Sequence, residues 1–375
     1  MAAVAALLAL AGGIAGSLWD SNVQWKPDSL FYRSQVLRVQ GVPKQEALRH
    51  VFEGPLAAPR REAEASLRPA DRKVTNPAWV DYSSRFYERR WVVPAVAVVF
   101  DPALGARGLL AASLLGYVLV ALFLYLLLRL WFPVLPAALV SGVFLLLQPL
   151  RYWSGLPLTD SWGLAVECLA LAAGALVLTR GPRWLPLWGA AVLLLSFTRD
   201  AGAIAVVGAV AVWAFRPTRL AALLAGVGIV ASLPAPLLFG APVREAMAYT
   251  LNDFRPVADP SWGFVVNRYL EGAHSLVENN LEWLLDHPFD GVLLVGGFLA
   301  LALLGPSREG LRRYVLGAAA AAVVYVLLVP NYTAFRLELV LVPFAALGAG
   351  AVVALLERRA LPALAGRLAR RLRPN

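Results

Sequence analysis

The stretch Gly108–Leu128, GLLAASLLGYVLVALFLYLLL, contains no charged side chain. A helix needs about 20 apolar residues to cross the ~30 Å hydrocarbon core of a bilayer, and this stretch has that length. Leu220–Gly240 is uncharged as well, and Leu337–Leu356 has Glu338 as its one charged residue. A helix in the core of a soluble protein would be shorter or would carry a polar stripe. These stretches therefore predict membrane-spanning helices.

The composition agrees with this interpretation. Of the 375 residues 59% are hydrophobic and 15% are charged, and the mean hydropathy is +0.64, whereas soluble domains carry about 25% charged residues. Cys168 is the only cysteine and there are three histidines, so we expect neither a disulfide nor a Cys/His metal cluster. The sequence predicts an all-α integral membrane protein in which residues 1–375 form a single polytopic domain.

Hydropathy predicts about ten spans and two long loops. The first apolar run, Ala2–Leu18, lacks the basic start and A-x-A site of a signal peptide, so we expect it to remain as the first span. Residues 19–106 form the first loop, with surface helices predicted at Ser29–Gln40 and Lys44–Phe52 and an irregular segment at Gly54–Lys73. The end of this loop is apolar but too short to cross, which is typical of an interfacial segment.

The second long loop covers residues 241–290. Its part Phe264–Leu285 has apolar residues at helical spacing and is either a membrane-surface helix that covers a site or a plain surface helix. Two spans are short and form either thin crossings or a pair of half-buried helices: Trp184–Phe197 and Ala201–Phe215. The other spans are predicted at Arg107–Leu130, Pro133–Leu150, Leu158–Thr179, Leu220–Phe239, Gly291–Leu304, Tyr314–Val329 and Leu337–Leu356.

Basic residues predict the orientation. With the N-terminus in the cytoplasm, the Arg-rich short connections and the basic tail at residues 357–375 all lie on the cytoplasmic side. The net charge of +10 is thus explained by membrane topology, and no nucleic-acid partner is expected. The excess of Arg over Lys and the abundance of Ala and Leu indicate a bacterial source. We therefore predict the bacterial inner membrane, with both termini cytoplasmic and both long loops outside.

Ionisable residues gather at the predicted outer edge. Asp20 and Asp28 follow the first span, Asp160 opens the fourth, Arg199 lies between the two short helices and Arg336 opens the last. Charges at a membrane boundary are costly, so they indicate a site or a buried pair. Each has a structural alternative: the aspartates as helix caps or interface residues, Arg199 as the partner of the next residue, and Arg336 as a snorkelling side chain.

Five motifs along the chain support a family resemblance. They are KPDSLFY at Lys26–Tyr32, RRWVVP at Arg89–Pro94, LPLTD at Leu156–Asp160, TRDAG at Thr198–Gly202, and the segment Tyr332–Pro343. In this order they resemble GT-C-type membrane glycosyltransferases, the superfamily of the dolichyl-phosphate-mannose mannosyltransferases. The series covers most of the chain, although no single motif is specific. The family often has a second acid directly after the first, where this chain has a serine.

The resemblance implies a GT-C-like fold and transfer of a sugar from a polyprenyl-phosphate donor to a glycan, lipid or protein acceptor on the outer face. Asp28 would be the base, Asp160 a second catalytic carboxylate, and Arg199 and Arg336 the groups that bind the donor phosphate. Asp20 and Tyr32 are additional candidates. The residue types suit these roles, because a carboxylate accepts a proton and a guanidinium binds phosphate. No residue is assigned to a metal and no cofactor is certain, a divalent ion being left open.

Two other functions stay open. A transporter or lipid flippase would show two related halves with helices broken at the bilayer midplane, and no convincing repeat is visible in the sequence. A non-catalytic assembly partner with a GT-C-like fold would purify with another protein and hold neither lipid nor sugar.

Overall fold

The computed structural model describes residues 1–21, 23–68, 71–199, 201–305, 308–328 and 335–371, with the side chains of all of these except 276 and 359–371. The structure is 81% helical and the described residues form no strand. The helices are α1 Ala2–Trp19, α2 Pro27–Val39, α3 Lys44–Glu53, α4 Ala58–Ala65, α5 Pro77–Ser84, α6 Val92–Leu104, α7 Gly108–Arg129, α8 Val134–Leu145, α9 Gln148–Ser154, α10 Asp160–Arg180, α11 Leu185–Thr198, α12 Gly202–Phe215, α13 Arg219–Ser232, α14 Pro234–Phe239, α15 Val243–Leu251, α16 Trp262–Asp286, α17 Pro288–Gly291, α18 Gly297–Leu304, α19 Glu309–Leu328 and α20 Val342–Arg371.

Among the described residues, six helices are long and apolar enough to cross a membrane, or up to eight if each of two bent helix pairs is one span. The bent pairs are α8 with α9, at 63°, and the run from α16 to α18, at 111°. These helices indicate a multi-pass membrane protein. The expectation of about ten spans holds only in this coarser form, because α11 and α12 have just 14 residues each.

Helices α7 and α10 pack closely at the centre of the bundle. The Ser161 hydroxyl donates to the Ser113 carbonyl at 2.7 Å, and the Trp162 indole N–H donates to the Ala112 carbonyl at 2.6 Å. A Cβ at Gly116 would lie 2.4 Å from the Trp162 ring, so glycine is required there. Polar side chains in an apolar bundle are satisfied by such interhelical hydrogen bonds, and here they fix the first turn of α10.

The crossing of α18 and α20 depends on two glycines. A Cβ on Gly348 would lie 1.7 Å from the Gly297 carbonyl oxygen, and a Cβ on Gly297 would lie 2.3 Å from the Ala345 carbonyl oxygen. Backbones that approach this closely are held by van der Waals contact between small residues. This crossing positions the start of α20, close to Arg336.

The first long loop has its own aromatic core. Phe31 of α2 stacks on Tyr87 with ring centroids 4.6 Å apart, and it also contacts Phe52 of α3 at 4.9 Å and Trp79 of α5 at 5.7 Å. Burial of these rings holds the surface helices together, because aromatic side chains bury large apolar areas. The two surface helices predicted in this loop are confirmed as α2 and α3.

The prediction of an irregular segment at residues 54–73 is wrong in part. A 3-10 turn and the helix α4 occupy much of it. The carboxylate of Glu64 at the end of α4 accepts backbone N–H bonds from Lys73, Val74 and Thr75 at 3.0–3.1 Å. Proline and arginine content suggested a loop, but these three bonds to one carboxylate order the segment.

The second long loop lies against the first. The Trp79 indole N–H donates to the Phe254 carbonyl at 2.6 Å, and the Tyr249 hydroxyl donates to Ser83 at 2.7 Å. The predicted helix in this loop is confirmed as α16, which begins with Ser261 as its N-cap. Near its end, Trp283 stacks on Phe335 with centroids 4.1 Å apart. The second loop is therefore in contact with the residue that precedes Arg336.

Candidate functional site

Four charged residues from separate parts of the chain meet at the ends of the apolar helices. Arg336 donates from Nη1 to Asp28 Oδ2 at 2.6 Å and from Nε to Asp160 Oδ1 at 2.9 Å. Arg199 Nη1 lies 3.0 Å from the same oxygen of Asp160. Asp28, Asp160, Arg199 and Arg336, here named the charge cluster, are the four residues that the sequence singles out as base, second carboxylate and phosphate ligands.

The aspartates in the charge cluster do not act as helix caps. Lys26 is the N-cap of α2 and Thr159 that of α10, and neither helix has a side-chain cap bond. Asp28 and Asp160 each lie in the first turn, where the positive end of the helix dipole stabilises a carboxylate. Their bonds go to the arginines and to Tyr87 instead. The capping alternative is therefore wrong for both residues.

The arginines are also held inside the protein. The side chain of Arg199 is 6% exposed and that of Arg336 is 17% exposed, so neither is a snorkelling interface residue. Arg199 donates from Nη2 to the Arg336 carbonyl at 3.0 Å, which ties the two segments together. Asp200, the sequence-predicted alternative partner of Arg199, lies outside the described residues, as do the first three residues, 332–334, of the closing motif Tyr332–Pro343.

A second set of side chains surrounds Asp28. The Tyr87 hydroxyl donates to Asp28 Oδ1 at 2.7 Å. Tyr32 is fully buried, and its hydroxyl accepts from Arg90 Nη1 at 2.8 Å and lies 3.4 Å from the Thr159 hydroxyl. Tyr32 is therefore next to the cluster rather than in contact with Asp28. Neither Tyr87 nor Arg90 is among the sequence-predicted site residues, although Arg90 belongs to the RRWVVP motif.

The ionisation of Asp28 reflects opposing effects. Burial favours the neutral carboxyl, but the Arg336 guanidinium and the hydrogen bonds from Tyr87 and Arg336 outweigh it, so the pKa of Asp28 lies below its usual value. Burial also opposes the charge of Arg336, and Asp160 and Asp28 outweigh it, so the pKa of Arg336 lies well above its usual value. Both groups are charged at neutral pH, and the four members of the charge cluster sum to zero.

Buried acids extend the cluster into the bundle. Glu167 on α10 and Glu338 are 1% and 5% exposed, and Arg199 is their shared cationic neighbour. One carboxylate oxygen of each has no hydrogen-bond partner among the described residues. Neither acid is among the sequence-predicted site residues. Glu167 lies inside an apolar span, where ionisable groups are rare, and it could have been identified on that basis.

Trp153 and Phe335 flank Arg336. The guanidinium carbon of Arg336 lies 5.0 Å from the centroid of the Trp153 ring, which is a cation–π contact. Phe335 adopts a left-handed conformation with φ of 60°, unusual for a bulky residue. Strained backbone of this kind persists where the surroundings impose it. The stack on Trp283 and the ion pairs of the next residue are the contacts that hold it.

Asp20 is separate from the cluster. It is exposed at the C-terminal end of α1, and its carboxylate has no hydrogen bond or ion pair with a described residue. The structure therefore does not bring this additional candidate to the other four.

The described residues do not fit a divalent metal site by themselves. No group of three or more His, Cys, Asp or Glu side chains among them is placed to hold an ion. Mg²⁺ and Ca²⁺ take several oxygen ligands, whereas the carboxylates of Asp28 and Asp160 are engaged by arginines.

Comparison of the chain with models of protein families, with curated proteins and with solved structures gives no match. The argument for a function therefore depends on the geometry of the charge cluster and on the resemblance of the sequence motifs.

Proposed function

We propose that the protein is a membrane glycosyltransferase of the GT-C type, which moves a sugar from a polyprenyl-phosphate donor to an acceptor hydroxyl on the outer face of a bacterial inner membrane. The observation that carries the proposal is the 2.6 Å contact between the carboxylate of Asp28 and the guanidinium of Arg336. This contact supports the proposal because a carboxylate, which can accept a proton, lies beside a guanidinium, which can bind phosphate, at the end of a bundle of membrane-length helices.

The reaction follows from these two groups. The oxygen of the acceptor hydroxyl attacks the anomeric carbon of the donor sugar, and its proton passes to the carboxylate of Asp28. The bond between the anomeric carbon and the phosphate oxygen breaks, and the electron pair leaves with the polyprenyl phosphate. Arg336, with Arg199 behind it, stabilises the charge that develops on that phosphate, because a guanidinium forms paired hydrogen bonds to phosphate oxygens.

Donor binding also changes the proton affinity of the proposed base, Asp28. A carboxylate whose pKa is held low by Arg336 is a weak proton acceptor. A donor phosphate that takes hydrogen bonds from Arg336 competes with Asp28 for the same guanidinium. Asp28 loses its strongest cationic partner, and its pKa rises towards the value at which a carboxylate is an effective general base. Asp160 keeps Arg336 and Arg199 oriented during this exchange.

The proposed topology uses all the apolar helices. If α11 and α12 both cross, they and the bent pairs bring the number of spans to ten, which places both termini on the cytoplasmic side. The short connections at Arg129, Arg180, Arg216 and Arg308 then lie in the cytoplasm, in agreement with the positive-inside rule. The two long loops and the charge cluster lie outside, and α16 borders the site through the contact of Trp283 with Phe335.

The test is transfer of a labelled sugar from a panel of polyprenyl-phosphate sugars by purified wild-type protein and by Asp28→Asn. Loss of the general base should lower the rate about 10²- to 10⁴-fold. Asp81→Asn is the matched control, because Asp81 lies in the same loop, is exposed and bonds Gln45 rather than the cluster. Full activity of Asp28→Asn, with a melting temperature like that of the control, would exclude Asp28 as the base.

One observation favours transport as a second candidate. Glu167 lies seven residues into α10, about 10 Å along the helix from Asp160, and it is 1% exposed. Ionisable groups at such depth line pathways in transporters. Flux of labelled polyprenyl phosphate across proteoliposomes, abolished by Glu167→Gln and unaffected by Asp28→Asn, would favour transport over transfer.

A further inference from the structure

A cleft lies at the end of the bundle away from the charge cluster. It contains about 900 Å³ of space not filled by protein atoms, some of it open to the surroundings. Helix α10 begins at Asp160 and ends at Arg180, and its 21 residues make it about 30 Å long. The cleft is therefore about one bilayer core away from the cluster. We name it the basic cleft; it is lined by Leu130, Trp131, Ala175, Thr179, Arg180, Arg308 and Leu311.

Two guanidinium groups in the basic cleft lack anionic partners. Neither Arg180 nor Arg308 forms an ion pair or a side-chain hydrogen bond with any residue in the described part of the chain. The adjacent acid, Glu309, is paired with Arg313. Arg180 and Arg308 are exposed, whereas Arg199 and Arg336 in the charge cluster are matched by carboxylates. The cleft therefore presents positive charge that no acid among the described residues pairs with.

The other polar side chains in the cleft add no negative charge to it. The indole Nε1 of Trp131 is buried and has no hydrogen-bond partner among the described residues. This nitrogen has almost no accessible surface, so the indole contributes its ring to the wall of the cleft and not a donor to a ligand. The hydroxyl of Thr179 already donates to the Ala175 carbonyl at 2.7 Å. Among the described residues that line the cleft there is no carboxylate, so the free charged groups there are the two guanidiniums of Arg180 and Arg308.

Apolar residues in the walls of the basic cleft indicate that the bound anion carries an apolar chain. Leu130 follows α7, Ala175 belongs to the last turns of α10, and Leu311 lies in the first turn of α19. Basic pockets between membrane helices at this depth bind the headgroups of anionic lipids. A guanidinium fork matches the oxygens of a phosphodiester, and an indole is well placed at the boundary between headgroup and acyl chain.

The geometry points to a binding site for the phosphodiester headgroup of an anionic phospholipid in the basic cleft, with Arg180 and Arg308 on the phosphate and the Trp131 ring in the wall. This site requires only that the helices cross a bilayer, and it does not depend on the proposed sugar transfer. It is more than 20 Å from the charge cluster by the length of α10.

The test is native mass spectrometry of the full chain in detergent, with equal amounts of dioleoyl phosphatidylglycerol and dioleoyl phosphatidylcholine. Two arginines at a membrane surface together contribute a preference of about 30-fold for the anionic lipid. Arg180→Gln/Arg308→Gln should lose this preference, and each single variant should lose about fivefold. The control, Arg183→Gln/Arg219→Gln, changes two arginines that also lie at helix ends but do not line the cleft, and it should retain the preference.

Each outcome either supports or overturns the proposed lipid site. An unchanged preference in the cleft variant, or an equal loss in the control, would show that the general basic charge of the protein binds the lipid and would overturn the proposal. A millimolar concentration of inorganic phosphate that displaces phosphatidylglycerol would indicate a site for a free anion and would also overturn it. Single variants replace the double variant if the latter does not fold.

Discussion

The arginines at the two ends of α10 have different surroundings. At the first end, Arg199 and Arg336 are buried and share the carboxylates of Asp28 and Asp160. At the other end, Arg180 and Arg308 line an open cleft, and the described residues provide no acid for them. Charges buried together must be paired, because removal from water costs several kcal/mol per ion. Charged groups beside an open cleft stay solvated and can bind a ligand. The first end is therefore a closed network of ion pairs, and the second is the proposed lipid site.

Replacement of an arginine by glutamine should have very different effects on stability at the two ends of α10. Arg336→Gln leaves Asp28 and Asp160 with fewer compensating charges in a buried site, so we expect a loss of about 3–5 kcal/mol in the free energy of unfolding. Arg180→Gln should change it by less than about 0.5 kcal/mol. Denaturant unfolding of both variants in one detergent measures the difference. Equal effects would mean that the ion pairs of Arg336 do not hold the segment before α20.

A smaller effect is expected from Tyr87→Phe. The variant keeps the stack on Phe31 but removes the hydroxyl that donates to Asp28 at 2.7 Å. A hydrogen bond to a charged group contributes about 1.5–3 kcal/mol, so the free energy of unfolding should fall by that amount. Tyr82→Phe is the control, since its hydroxyl donates to a neutral carbonyl, that of Val257, at 3.3 Å. A larger loss in Tyr82→Phe would contradict the assigned role of Tyr87.

The smallest expected effect is on the pH dependence of stability in acid. The pKa of Asp28 in the folded protein is below the value of 3.8 expected for the free side chain. The unfolded chain therefore takes up the proton first, and the stabilisation is complete above about pH 4 and is lost as the pH falls through the folded pKa. Thermal unfolding between about pH 6 and pH 3 should show a shallower loss for Asp28→Asn than for the wild type. In Tyr87→Phe, which lacks one bond to this carboxylate, the folded pKa of Asp28 lies closer to the unfolded value, so the loss should be smaller and should end at a higher pH than in the wild type.

Much of the charge cluster could be predicted because its members lie at the ends of apolar stretches. The lengths of these stretches place Asp28, Asp160, Arg199 and Arg336 at one membrane edge, and the structure joins them by hydrogen bonds. Their roles in catalysis remain predictions. The number of spans was harder to predict, because helices of 14 residues have the composition of a span without its length.

Features that depend on tertiary contacts could not be predicted. Tyr87 and Arg90 lie in a polar loop, where nothing in the local pattern indicates that they turn towards Asp28. Glu64 orders its loop through three backbone bonds to residues nine to eleven positions away. The basic cleft is formed by residues from three separate helices, and the sequence shows only that its arginines belong to short connections.

If α11 and α12 both cross the membrane, as proposed, their length has a consequence for the surrounding lipid. Each has 14 residues and is about 21 Å long, roughly 9 Å less than the hydrocarbon core. Hydrophobic mismatch of this kind makes a bilayer thin locally. Arg199 follows α11 and packs on Gly163, almost one turn into α10 from Asp160. With the proposed topology, a depression in the lipid surface at this helix pair would lower the plane of the phosphates towards Arg199, and a long-chain lipid would then present its phosphate to the cluster while its tail stayed in the membrane.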